Sequence, residues 1–257
     1  MTLVREPAPR TIRKVVVVLP AYRAAKTLEA TVRAIPRDPP VELLLVDDKS
    51  PDDTLQAAQR LGIRTIAHDR NTGYGGNQKT CYRAALEMGA DVVVMLHPDY
   101  QYDPRVIPAM VEILRLNIAD VVTGNRIRNR QDALRCGMPV WKYFANRFLT
   151  IFENVFMAQN LGDFHSGMRA YVREVLEAVP FEANSDDFVF DSQFLAQAAF
   201  LGFRISDVPV PCRYFHEASS INFKRSMRYG LLTVWTVLLF LLGKLGLYRH
   251  PMFRKRL

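Results

Sequence analysis

The sequence predicts an α/β domain: a mostly parallel central sheet flanked by helices, followed by apolar, amphipathic helical segments that associate with a membrane. Three observations predict it. Short apolar runs alternate with amphipathic stretches across the first half, acids stand where those runs open into loops, and glycines follow the helical patterns. The first run, VVVVLP at 15–20, and the second, VELLLVDDKS at 41–50, set the theme, because Asp47 and Asp48 come directly after a buried-strand pattern. Two carboxylates at the carboxyl edge of a sheet sit where open α/β sheets bind ligands.

The strands are expected at 15–19, 43–46, 64–67, 91–96 and 119–123, and the helices between them at 25–35, 53–61, 77–88 and 103–115. Pro51, Asp52 and Asp53 ahead of Leu55 mark a helix start. Gly62 and Gly89 each follow a last helical turn, as a C-cap glycine does. The pattern alone fits any nucleotide-binding α/β domain.

With 257 residues, 49% of them hydrophobic, and no Pro/Gly/Ser-rich linker, the chain has the material for one large core. The expected division is an N-terminal extension over 1–12, a catalytic domain over 13–221 and a basic-flanked apolar segment over 222–257. Residues 1–13 lack the apolar core of a signal peptide. Cys81, Cys136 and Cys212 are too widely spaced for a metal-ligand pattern and suit a reducing cytoplasmic setting.

The formal net charge is +8, from 34 basic and 26 acidic residues. Its distribution selects among polyanionic partners. Arg126, Arg128, Arg130 and Arg135 follow a strand end, where they can meet phosphate. Lys224, Arg225 and Arg228 precede the apolar run YGLLTVWTVLLFLLG at 229–243, and Arg249, Arg254, Lys255 and Arg256 follow it. Basic flanks on an apolar helix suit an anionic bilayer. No aromatic-interleaved basic module speaks for nucleic acid. Fifteen uncharged residues fall short of the roughly 20 that cross a bilayer. Three placements therefore stay open: lying in the membrane interface, packing on the domain or on a second copy in a homo-oligomer, or crossing with Lys244 near a headgroup.

The run VVVML opens into HPDYQYDP at 97–104. His97, Asp99 and Gln101 alternate, so their imidazole, carboxylate and amide oxygen can face one side and meet one cation. That mixed set accepts Mg2+ or Mn2+ when the cation also holds substrate phosphates. Asp103, directly before Pro104, suits a helix cap better than a ligand. His97 fits a satisfied loop histidine equally well. Upstream, Gly73, Gly75 and Gly76 in HDRNTGYGGNQKTCYRAA let the backbone approach a ligand closely, but the spacing is neither a Walker A loop nor G-x-G-x-x-G. A tight turn alone explains such glycines as well.

These motifs, in order, resemble a family 2 glycosyltransferase of the GT-A fold, near the dolichyl-phosphate mannose and polyprenyl-phosphate glucose synthases. The resemblance covers about 15–226 and rests on LPAY at 19–22, LLVDDKSPDDT at 44–54, NTGYGGNQKTCYRAAL at 71–86, DYQYDP at 99–104, GNR at 124–126, HSGMRAYVREVL at 165–176 and EASSINFKRSMRYG at 217–230. It implies a sugar nucleotide with its base near Pro20, Ala21 and Tyr22 and with Asp47 or Asp48 accepting from base or ribose. Gly75, Gly76 and Lys79 belong to the same donor site. It also implies a divalent cation on the diphosphate, held through Asp99 and Gln101. His97 departs from the Asp usual at the first position of that motif, and Arg23-Ala24-Ala25 departs from the Asn-Glu-Glu common after the tyrosine.

A departing nucleoside diphosphate needs charge stabilisation more than a base, and Arg126 and Arg169 are the arginines the resemblance offers. Either can instead pair with a neighbouring carboxylate. An ionised lipid phosphate needs no general base. Asp186 and Asp187, ahead of a helical pattern, serve as N-caps, or Asp187 serves as the base if the acceptor is a hydroxyl. The sequence thus supports an inverting hexosyltransferase acting on a polyprenyl phosphate at the cytoplasmic membrane face, as a peripheral or monotopic protein. Transfer to a hydroxyl of a lipid or glycan, and an inactive sugar-nucleotide-binding or scaffolding module, are the competing readings.

Overall fold

Long β-branched runs bounded by polar loops fold into a seven-stranded sheet of order β3-β2-β1-β4-β6-β5-β7. The structure is a computed structural model that describes residues 8–127, 129–135, 137–213 and 223–254. Arg128, Cys136, residues 214–222, Lys255, Arg256 and the side chains of Arg130 and Lys224 lie outside it.

The first half alternates as expected: β1 (Val15–Ala21), α1 (Leu28–Ala34), β2 (Val41–Asp47), α2 (Thr54–Arg60), β3 (Arg64–Ala67), α3 (Tyr74–Glu87) and β4 (Val92–Met95). A short 3-10 turn at Pro104–Val106 then leads into α4 (Ile107–Arg115), followed by β5 (Val121–Asn125). Every β1 residue is buried, as suits a central strand covered on both faces. Pro20 falls beyond the last β1–β4 pair, Val18 with Met95, so its missing N–H costs no ladder bond there. Gly62 and Gly89 adopt φ of 67° and 80°, the left-handed cap geometry.

The second half adds α5 (Arg130–Arg135), α6 (Val140–Met157), β6 (Arg169–Val172), α7 (Arg173–Ala178), α8 (Phe190–Phe200), β7 (Ile205–Pro209) and α9 (Phe223–Lys244). The sheet is mostly parallel, as expected, with one strand as the exception. β6 inserts between β4 and β5 and runs antiparallel to both, while β5 pairs parallel with β7. The sheet is mixed, and β5 is not a neighbour of β4.

Strand order reverses at β1, with β2 and β3 on one side and β4 on the other. The crevice at the carboxyl ends of β1 and β4 is therefore the topological switch point of the sheet. Non-glycine residues with positive φ mark three of its strand-end loops: Arg23 after β1, Lys49 after β2 and Tyr100 after β4.

The C-terminal segment is not an appendage. Val237, Leu239 and Phe240 of α9, with Met252 and Phe253, belong to the main core cluster. Lys244, which the spanning placement would set near a headgroup, donates to the Phe200 carbonyl at 3.0 Å and lies over the Phe200 ring. Among the described residues one helical stretch, Arg225–Lys244, is long and apolar enough to cross a membrane by length and composition.

Candidate active site

At the end of β2 the two acids part company. Asp48 is tied inward: Oδ1 accepts from Thr72 N at 2.7 Å, Thr72 Oγ1 at 2.8 Å and His68 Nδ1 at 2.8 Å, and Oδ2 accepts from Gly73 N at 3.0 Å. It pins the 68–73 loop. Asp47 Oδ2 accepts from Ser50 N at 3.1 Å, and its buried Oδ1 has no hydrogen-bond partner among the described residues. Asp47 is therefore the acid of the pair with acceptor capacity left for a ligand N–H or O–H. Pro20 and Ala21 are buried in β1, and Tyr22 is half exposed with the Arg23 guanidinium 5.4 Å from its ring centre.

The glycine loop has a different use from the one expected. Gly75 N donates to the Asp186 carbonyl at 2.8 Å, and a Cβ on Gly75 would come within 2.3 Å of the Ser185 carbonyl. A Cβ on Gly76 would meet Thr72 at 2.9 Å. The missing side chains make room for the 185–186 backbone and the loop's own Thr72, not for a ligand. Lys79 joins the same strap. Its buried Nζ donates to the Asn184 carbonyl at 2.6 Å and to Asp186 Oδ1 at 2.7 Å.

Beyond β4, His97, Asp99 and Gln101 all line one cavity, as their spacing implied. Asp99 Oδ1 accepts from Gln101 N at 3.0 Å, and Asp103 caps the following turn through Arg105 N. His97 is committed elsewhere: its Nε2 lies 3.0 Å from the Tyr74 hydroxyl, which donates to Asp191 Oδ2 at 2.7 Å. With the hydroxyl proton on Asp191, the His97 Nε2–H is the donor to Tyr74. The imidazole also sits where a Gly167 Cβ would be, 2.7 Å from its Cδ2. The expected three-ligand set thus reduces to Asp99 and Gln101, and no group of three His, Cys, Asp or Glu side chains forms a metal cage among the described residues. One carboxylate beside one amide oxygen still fits a magnesium-like ion whose remaining ligands come from substrate phosphates and water.

The two candidate arginines also separate. Arg169 is fully buried and donates to three backbone carbonyls, Ser166, Asp191 and Phe164, at 2.9–3.0 Å. Burial opposes its charge, but Asp191 and the surrounding tyrosines keep its pKa raised. It cannot reach a donor phosphate and instead knits the β6 entry to α8. Arg126 does line the cavity. Its Nε and Nη2 grip Asp163 at 2.7 and 3.1 Å, and Nη2 also donates to the His165 carbonyl at 2.7 Å. Burial would raise the Asp163 carboxyl, but the Arg126 guanidinium holds it well below the carboxylate range.

Asp187 is exposed, accepts from Phe188 N at 2.8 Å and lies outside the cavity lining. Neither it nor Asp186 caps α8, whose N-cap is Val189 without a side-chain bond. The acid that approaches the cavity is Asp191, buried in the first turn of α8 and linked to His97 through Tyr74. Asp191 was not legible as a site residue, because only the long-range pairing with Tyr74 distinguishes it from Asp186 and Asp187.

The rest of the cavity comes from α6, which the sequence did not nominate, and from the start of the apolar run that it did. Trp141, Lys142 and Leu149 of α6 and Tyr229 of α9 line it with Asp99 and Gln101. Burial, then the nearby Arg126 charge, lower the Lys142 ammonium. Behind them His165 Nδ1 meets the Tyr229 hydroxyl at 2.6 Å, and buried Glu153 Oε2 lies 3.2 Å from His165 Nε2 without hydrogen-bond alignment. The cavity encloses about 910 Å³ with its open mouth included, within the range of small-molecule sites.

The glycosyl transferase family 2 model matches residues 16–179, the span from β1 through α7. The chain belongs to this family. It is a glycosyltransferase, and its mixed sheet with flanking helices is a GT-A-like fold. Within the family, an undecaprenyl-phosphate mannosyltransferase of Micrococcus luteus is 28% identical over 205 residues, covering 77% of this chain and 82% of the relative. Glycosyltransferase AglD of Haloferax volcanii is 30% identical over 221 residues, which is 80% of this chain and 34% of that longer relative. The crystal structure of glucosyl-3-phosphoglycerate synthase from Mycobacterium tuberculosis, in complex with Mn2+, UDP and phosphoglyceric acid, superposes with a TM-score of 0.66 at 20% identity over 92% of this chain and 80% of that one. That likeness is one of fold.

Proposed function

We propose that this family member transfers a hexose, with inversion, from a UDP- or GDP-sugar to a polyprenyl phosphate at the cytoplasmic face of a membrane. One observation carries the reading. A single cavity has a carboxylate and amide oxygen from Asp99 and Gln101, two cationic side chains, Arg126 and Lys142, and apolar lining from Trp141, Ala145 and Leu149 of α6 with Phe188. A donor diphosphate suits the first, an acceptor phosphate the second, and a lipid tail the third.

The donor's base lies at the β1 end near Tyr22, where Asp47 Oδ1 can accept from it. Asp99 and Gln101 would hold the Mg2+ or Mn2+ that rides on the diphosphate, and such an ion, when bound, stabilises the charge of the departing nucleoside diphosphate. Arg126 and Lys142 hold the acceptor phosphate. Burial first, and then the neighbouring Arg126 charge, lower the Lys142 ammonium, and an anion bound beside both cations would offset each effect. The acceptor oxygen is ionised at neutral pH and attacks without a base, which agrees with the outward position of Asp187. The relative named undecaprenyl-phosphate mannosyltransferase supports the acceptor class.

The hydroxyl-acceptor reading is weakened by Asp187 lying outside the cavity. A small anionic acceptor is the stronger competitor, since the solved neighbour binds phosphoglyceric acid. Assaying transfer from UDP-glucose and GDP-mannose with Mn2+ to polyprenyl phosphate, polyprenol and phosphoglyceric acid separates these readings. Turnover on the lipid phosphate alone is expected. Preference for polyprenol or phosphoglyceric acid overturns the acceptor assignment, and no metal-dependent binding of either sugar nucleotide overturns the donor site.

A further inference from the structure

Two adjacent helices of this protein expose apolar faces, and one of them is built inside out. Along α6 every exposed side chain is apolar, with Phe144, Phe148 and Val155 each about two-thirds open at 63%, 67% and 68%. The buried face of the same helix carries Asn146, Thr150 and Glu153. Between Arg228 and Lys244, α9 likewise exposes Leu231, Val234, Trp235 and Leu238, while its buried face mixes Thr233 and Thr236 with the core residues Val237, Leu239 and Phe240. A helix bordered by water presents polar residues outward and apolar residues to the core. The α6 stripe runs 141, 144, 148, 151, 155 and the α9 stripe 227, 231, 234, 238, so each lies along one face. The two helices pack on one another. Two such stripes exceed what scattered surface apolar residues produce.

Charge selects what covers it. Arg135, just before α6, and Arg225 and Arg228, in the first turns of α9, are exposed near the helix ends whose Trp141, Lys142 and Ser226 line the cavity. Anionic headgroups complement that basic end, whereas a second copy docked through the same face would add a second set of arginines. We infer that α6 and α9 together form the membrane-seated face, with α6 an equal half and not a bystander to the C-terminal helix. The inference rests on the lipid-phosphate reading and deepens it. The cavity then opens along the seated face, and an acceptor enters it from the monolayer without leaving the lipid.

The chain's two tryptophans stand one on each helix, Trp141 on α6 and Trp235 on α9, both exposed. Full-length Trp235→Phe leaves Trp141 as the sole reporter, and Trp141→Phe leaves Trp235. Each is mixed with phosphatidylglycerol–phosphatidylethanolamine vesicles whose acyl chains are dibrominated, after its thermal transition is matched to the parent. Quenching and a blue shift of both reporters are expected. Phe144→Ser with Phe148→Ser should in addition lower vesicle partitioning at least about tenfold. If Trp235 is quenched and Trp141 is not, the α6 half is overturned while the membrane reading stands. If neither is quenched, both fail. Concentration-dependent dimers that the Phe144→Ser, Phe148→Ser pair dissociates, with Trp141 unquenched, would assign the face to a second copy and overturn the inference.

Discussion

At the sheet edge the charged residues that stand out in the sequence are mostly spent on one another: Asp48 on the 68–73 loop, Lys79 on Asp186, Arg169 on three carbonyls. Along α6 the distribution is reversed, with polar groups buried and apolar ones facing out, and α9 beside it exposes an apolar stripe as well. The first region is a scaffold whose few uncommitted groups, chiefly Asp47 Oδ1, meet a ligand in a preset frame. The second is a surface completed by something outside the chain. A charge conspicuous in sequence is thus more often a fastener here than a reagent, and a helix of ordinary composition holds much of the functional information.

The sharpest way to break this contrast is to test a reagent against a fastener. Asp99→Ala should lower metal-dependent transfer by roughly two to three orders of magnitude, with its melting temperature nearly unchanged, because an edge carboxylate contributes little packing. Calorimetry beside a transfer assay reads both. Near-parental turnover would remove Asp99 from the site. Arg169→Met should do the opposite. Leaving Asp191 buried beside no cation costs about 3–5 kcal/mol, visible in urea unfolding, while turnover per folded molecule falls far less. A loss of turnover beyond the loss of folded protein would return Arg169 to the reaction.

The buried seam behind Tyr229 gives an intermediate effect with a definite sign. Burial raises the Glu153 carboxyl, so the folded state keeps a proton that the unfolded chain releases above about pH 4.5. Its contribution is therefore full below that value and is lost as pH rises through the folded pKa. Burial lowers His165 to about 4, so between about 6.5 and that value the unfolded chain takes up a proton the folded one refuses, and stability falls as pH drops. Urea midpoints for Glu153→Gln should flatten the alkaline side of the stability profile, and those for His165→Gln the acid side. Unchanged slopes would mean these groups are solvated, and the seam would lose its inverted character. The smallest effect is expected of His97→Asp. It trades the Tyr74 contact for an acid beside Asp99, leaving transfer measurable while shifting the preference between Mg2+ and Mn2+. An unchanged metal profile would keep position 97 out of contact with the ion.

The first half of the fold was legible because each strand is a short β-branched run closed by a turn residue, as at 64–67, which reappears as β3 without change. β6 was not. Its RAYV segment runs without a break into α7 and owes its strand state to pairing with β4 and β5, a long-range fact. The same limit governed the site. His97, Asp99 and Gln101 share a cavity because their alternation is local, but nothing local reveals that His97 is claimed by Tyr74, or that Gly75 accommodates residue 185 from across the fold. The apolar run of α9 was plain. The half of it that joins the core was not, so truncation after Phe223 would strip Val237, Leu239 and Phe240 from that core and leave no intact domain behind.

Arg23, Lys49 and Tyr100 hold positive φ without being glycine, one at the end of each strand that frames the crevice. Each such residue costs on the order of 1 kcal/mol, and a glycine would remove that cost. Anyone selecting variants of this enzyme by heat resistance would therefore be drawn first to these three positions. The hardiest clones would carry looser rims, and a melting curve would give no warning of the rigidity lost around the crevice.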